Sequence, residues 1–109
     1  MRETDIAFQS VAELSRLIES KQVSPVEVTE AYLRRIDELD FKFNAYLTVC
    51  RQQALAQARE AESAIARGEY LGPMHGIPVA VKDQLWTQGV RSTGGSRASD
   101  LAHTLRCGR

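Results

Sequence analysis

The chain has 109 residues, enough for one small domain at most. Lys plus Arg and Asp plus Glu are 14 each, so the formal net charge is zero and the usual electrostatic argument for a nucleic-acid or anionic-membrane partner is removed. With 43% hydrophobic and 26% charged residues it reads as an ordinary soluble globular chain, without an apolar run near the roughly 20 residues of a membrane span.

Residues 1–5 are polar and no apolar h-region follows, which argues against a secretory signal. Ser10 and Glu13 stand at capping-box spacing, with Glu13 expected to reach back to the Ser10 amide. Val11, Leu14, Leu17 and Ile18 then follow helical spacing, so a first helix should run to about Ser20 or Lys21. Ser24, Pro25 and Glu27 form a stronger start signal, since proline suits the first helical position. Val28, Tyr32, Ile36 and Leu39 give the second helix an apolar stripe, and its expected span is about 25–39.

Residues 43–49 are aromatic and partly β-branched, and read as extended chain or a short strand. An alanine-rich third helix follows at about 51–67, with Ala54, Leu55, Ala58, Ala61 and Ile65 inward and Gly68 at its C-terminal cap. Gly72, Pro73, Met74, His75 and Gly76 make a turn-rich connector. Residues 77–81 are apolar and largely β-branched, with Pro78 near the start, which predicts a strand buried on both faces. Such a strand needs neighbours on both edges, and none is evident in the sequence, so the pattern predicts an α/β domain that is incomplete here. Gly89, Gly94 and Gly95, with Ser92, Thr93 and Ser96, predict a loop after it. From Trp86 onward four arginines face one acid, Asp100, which reads as a solvated tail.

Cys50 and Cys107 stand apart from each other and from His75 and His103 in sequence, so no metal-ligand spacing exists. Without a secretion signal both read as free thiols, and the cytoplasm is the expected compartment. There is no phosphate loop and no dinucleotide fingerprint, so no cofactor is expected.

Lys82 closes the predicted strand. A lysine buried there would be pushed toward its neutral amine, a competent general base that could activate a serine nucleophile. The plainer reading of spacing alone is a lysine that pairs with Asp83 or reaches solvent from the strand end.

The run from Gly72 through His75, Gly76, Ile77 and Pro78 to Lys82 and Asp83 resembles the N-terminal hallmark of the amidase signature family. The likeness extends over about residues 6–97, through the Ser-Pro-capped helix, Asn44-Ala45 and the alanine-rich helix ending at Arg67-Gly68-Glu69. It implies an amidase domain at 1–97 with the first core strand of an α/β fold, followed by a divergent tail at 98–109. The implied activity is hydrolysis of amide C–N bonds by a triad of serine, cis-serine and lysine, in which Lys82 is the catalytic residue. The 27 residues after Lys82 contain Ser92, Ser96 and Ser99, none in the family's nucleophile motif, so this segment alone is expected to be inactive. The resemblance covers both amidases and the A subunit of the aminoacyl-tRNA amidotransferase. Its implied partner is a small-molecule amide substrate in the full-length enzyme. A different class of reading is a helical interaction module that self-associates through its apolar stripes and an unpaired strand. His75 is expected to be structural, Asp83 to orient Lys82 or a loop amide, and Trp86 to pack.

Overall fold

The computed structural model describes residues 2–83 and Val90, in two units: 2–44 with 51–78, and 45–50 with 79–83 and Val90. The loop expected around Gly94 and Gly95, Trp86, the three late serines and the 98–109 tail lie outside the described residues.

Four helices make up the first unit: α1 (Glu3–Ala7), α2 (Val11–Glu19), α3 (Pro25–Phe43) and α4 (Arg51–Ala66). The polar N-terminus carries no sequence signal for α1. This helix buries Ile6, whose carbonyl accepts a hydrogen bond from the Tyr32 hydroxyl of α3 at 3.3 Å. Phe8 stays exposed, with the Arg35 guanidinium 5.0 Å above its ring, a contact that needs no burial.

α2 begins at Ser10, whose hydroxyl accepts from the Glu13 amide at 3.1 Å. Only this half of the expected box forms. The Glu13 carboxylate pairs instead with Arg16, one turn on, where a charged donor competes well with a backbone N–H. α3 has both halves: the Glu27 amide donates to Ser24 Oγ at 3.0 Å, and the Ser24 amide donates to the Glu27 carboxylate at 3.4 Å. Val23 and Val28 take the two staple positions around this cap, and both are buried in the core.

α2 and α4 end alike. After α2, Lys21 and Gln22 donate to the carbonyls of Ile18 and Leu17. After α4, Gly68 and Glu69 donate to Ile65 and Ala64. Each is a Schellman closure with a left-handed residue at the reversal, Lys21 (φ 64°) in one and Gly68 (φ 87°) in the other. α3 runs to Phe43, past the expected end near 39, because Asn44 adopts the left-handed conformation and donates to Asp40 at 2.7 Å. Asparagine tolerates that conformation better than most residues.

The core gathers Ile6, Leu14, Ile18, Val23, Val28, Ala31 and Ile65. α3 packs on both α1 and α4. Ala58 and Ala61 are buried along α4, and small residues of this kind permit close approach of a neighbouring helix. Ala54 and Leu55, also expected inside, are only half-buried.

Neither the short strand read as one alternative at 43–49 nor the strand expected at 77–81 is confirmed. Among the described residues no strand forms, at 43–49 or at 77–81. Phe43 belongs to α3, and residues 45–50 are irregular. At 77–81 a strand requires ladder partners on its edges, and the described residues supply none. The observed architecture is therefore helical where it is described, and the α/β class expected from the sequence is not formed among these residues.

Candidate functional site

The connector after α4 is where the sequence motif acquires a shape. Arg67 donates to both Glu69 oxygens, at 3.5 and 3.1 Å, and this guanidinium holds the exposed Glu69 carboxyl below its ordinary range. Solvent and salt screen such an exposed pair. Tyr70 follows, and its hydroxyl lies 2.6 Å from Ser15 Oγ on α2. Ser15 is buried, so its hydroxyl needs a partner, and Tyr70 supplies one from 55 residues away.

The glycines, proline and histidine then build two consecutive reverse turns. The His75 amide donates to the Gly72 carbonyl at 2.9 Å, with Pro73 at the second position, where its fixed φ is favourable. The Ile77 amide donates to the Met74 carbonyl at 3.1 Å, with Gly76 (φ 85°) at the third position, where a positive φ calls for glycine. Gly76 is also sterically required. A Cβ placed there would lie 2.7 Å from Pro25 Cγ and 3.7 Å from Ile18 Cγ2. Pro25 therefore does two things: it opens α3 and it seats the connector.

His75 Nδ1 accepts a hydrogen bond from the Leu71 amide at 3.1 Å, and its ring centroid lies 6.2 Å from that of Tyr70. This acceptor role puts the proton of the neutral imidazole on Nε2 and makes the side chain a brace of its own turn. The structural role expected for His75 agrees with this geometry. Ile77 packs half-buried against the core, and the unit ends at Pro78.

In the second unit Val79, Ala80, Val81 and Lys82 are exposed and Asp83 is half-buried. Val79 retains 66% and Val81 53% of its accessible surface, so the double-sided burial expected of this segment is absent among the described residues. Lys82 shares that exposure, and the burial expected to favour its neutral amine is not present among them. The serines named beyond it are outside the described residues, so no serine–lysine geometry is on view. The sequence pattern locates the turn, the glycines and the lysine. It misses the Ser15–Tyr70 pair, because neither residue belongs to a local pattern and only the tertiary fold brings them together.

Elsewhere in the helical unit a shallow depression lined by Ile18, Lys21, Pro25, Glu62 and Ile65 contains no residue of the connector. Among the described residues no cluster of three His, Cys, Asp or Glu side chains is placed to hold a metal ion. No helix among them is long and apolar enough to cross a membrane.

Comparison with known proteins places this geometry in context. A family model described as Amidase matches residues 27–102. The chain is 48% identical over 94 residues to the A subunit of glutamyl-tRNA(Gln) amidotransferase from Salinispora tropica, an alignment covering 86% of this chain and 19% of that protein. It is 45% identical over 93 residues to the protein of the same name from Moorella thermoacetica, covering 85% and 19%. For that of Desulforamulus reducens the figures are 43% over 91 residues, covering 83% and 19%. The chain thus spans about a fifth of the length of the curated relatives it matches. No solved structure matches it.

Proposed function

The chain belongs to the amidase family, and we propose that it supplies the N-terminal part and the catalytic lysine of an enzyme that cleaves amide C–N bonds. The observation that carries this reading is the run from Gly72 to Lys82, which lies wholly inside the matched region. In this mechanism the Lys82 amine takes a proton from a bridging serine, which in turn activates a nucleophilic serine. The nucleophile adds to the amide carbonyl, backbone amides stabilise the oxyanion, and the amine leaves. The acyl-enzyme is then resolved by water or another acceptor. Neither serine role is assigned to Ser92, Ser96 or Ser99, so the 109 residues by themselves lack a nucleophile and are expected to be inactive.

The same reading treats 1–97 as amidase domain and 98–109 as a tail, and places the protein in the cytoplasm. It makes 77–81 a core strand of an α/β sheet once neighbouring strands are supplied. The exposed Val79 and Val81 support this, since β-branched side chains in an unpaired segment are suited to a covered sheet. A narrower form of the proposal is favoured by the relatives named above: the enzyme is one component of an amidotransferase acting with glutamyl-tRNA(Gln).

The test is reconstitution. The 109-residue chain alone should hydrolyse no amide, and measurable hydrolysis abolished by Lys82→Ala would overturn the inactivity. Mixed with one of these relatives lacking its equivalent of residues 1–97, it should restore amide hydrolysis. Lys82→Ala should then reduce the rate about 10²–10⁴-fold, the usual contribution of a general base. Undiminished activity of that variant would remove Lys82 from the mechanism.

A further inference from the structure

We propose that Leu71 and Met74 form an apolar tip on which the rest of an amidase domain docks against the helical unit. The inference rests on the reading of the chain as the N-terminal part of such an enzyme. The two turns of the connector are fixed from within: Tyr70 bonds Ser15, the Leu71 amide bonds His75, Gly76 rests on Pro25 and Ile77 packs on the core. Each of these contacts is internal to the unit. The two remaining large side chains of the turn stay in solvent, Leu71 retaining 82% of its accessible surface and Met74 54%. A turn held this firmly, with apolar side chains outward, has already met the ordering cost of a contact, which is the property of a docking surface.

No Asp, Glu, Lys or Arg occurs from Tyr70 to Val81, in a chain that is 26% charged. The nearest charges before this run, Arg67 and Glu69, are paired with each other. The tip therefore offers no charge to a phosphate or carboxylate, and its complement is an apolar protein surface. A second copy of this chain does not fit. Two such side chains offer on the order of 200 Å² of apolar area. That is several times less than the roughly 800 Å² per partner of a stable interface. A contact so small holds between parts of one chain, which lose no further translational freedom on meeting. The relatives supply such a chain, since the aligned segment is 19% of one continuous protein in each.

Methionine oxidation tests this without altering the tip. Hydrogen peroxide transfers one oxygen atom to the Met74 sulfur, giving the sulfoxide and water, and peptide mass spectrometry reads the rate. In the 109-residue chain Met74 should react within about threefold of its rate in denaturant. The comparison is a chimera in which residues 1–97 replace the equivalent segment of the Salinispora tropica A subunit, with the Moorella thermoacetica and Desulforamulus reducens proteins as alternative frames. In a chimera that melts cooperatively, Met74 should react at least about tenfold more slowly than in the chain alone. Leu71→Ala should lower the melting midpoint of the chimera and leave that of the chain unchanged. Equal Met74 rates in chimera and chain overturn the proposal, and so does a midpoint that falls in both or in neither. Protection that grows with the concentration of the chain alone also overturns it, because the occupant is then a second copy. Failure of all three chimeras to fold counts equally against it, because the fit is then absent. A chimera that hydrolyses amide with Met74 unprotected removes the docking and leaves the enzyme reading standing. One that protects Met74 and keeps its full rate with Lys82→Ala does the reverse.

Discussion

Ile18 and Val81 are both branched aliphatic residues in apolar sequence contexts, yet Ile18 retains 1% of its surface and Val81 retains 53%. Ile18 belongs to a unit whose helices bury each other's stripes, with serine caps opening α2 and α3. Val81 belongs to a segment whose expected secondary structure needs partners along both edges. A helix satisfies its backbone within itself, whereas a strand satisfies it only through a neighbour. Among the described residues the helical region buries a core of its own, whereas residues 79–82 of the segment that bears Lys82 stay exposed. The chemistry proposed for this protein sits on that exposed segment.

Substitutions sharpen that contrast. Ile18→Ala should cost about 2–5 kcal/mol in chemical denaturation, as expected for a fully buried aliphatic side chain. Val81→Ala in the same chain should change stability by no more than about 0.5 kcal/mol. A comparable loss at both positions would show that 79–83 is packed, and the comparison would fail. The glycines divide in the same way. Gly76→Ala meets both a left-handed backbone and the Pro25 ring, and should cost about 2–4 kcal/mol. Gly68→Ala has open space around it and should cost only the conformational share, about 1 kcal/mol. Equal costs at the two sites would mean that the connector is not seated on Pro25.

The smallest effect should be a gain. Lys21→Gly relieves the left-handed strain at the end of α2 and should stabilise by about 0.5–1 kcal/mol, read as a raised denaturation midpoint. A loss there would mean that the lysine side chain makes a contribution that outweighs its backbone strain.

The helices are legible in the sequence because their signals are local. Ser24, Pro25 and Glu27 announce the start of α3 within four residues, and Gly68 announces the end of α4 in one. The end of α3 lies beyond its expected position because Asn44 stops the helix by a left-handed cap that composition does not reveal. The connector's turn is legible from its glycines and proline, but its seat is not. The contacts of Gly76 with Pro25 and of Tyr70 with Ser15 join residues about fifty positions apart. At 77–81 the apolar, β-branched pattern describes what the segment is suited to pair with. It does not supply the pair, and no strand forms there among the described residues.

The hydrogen bond between Ser15 and Tyr70 also has a consequence in time. It closes a loop of 55 residues, whereas nearly every other bond described in the helical unit joins neighbours within a few positions. Closing so long a loop carries an entropic cost that is repaid only after the helices between its ends have formed and packed. Docking of the connector should thus come late in folding. Tyr70→Phe should then accelerate unfolding while leaving the folding rate nearly unchanged in a chevron analysis. The order of events follows the order of dependence: the helices assemble first, and the connector is seated on them next.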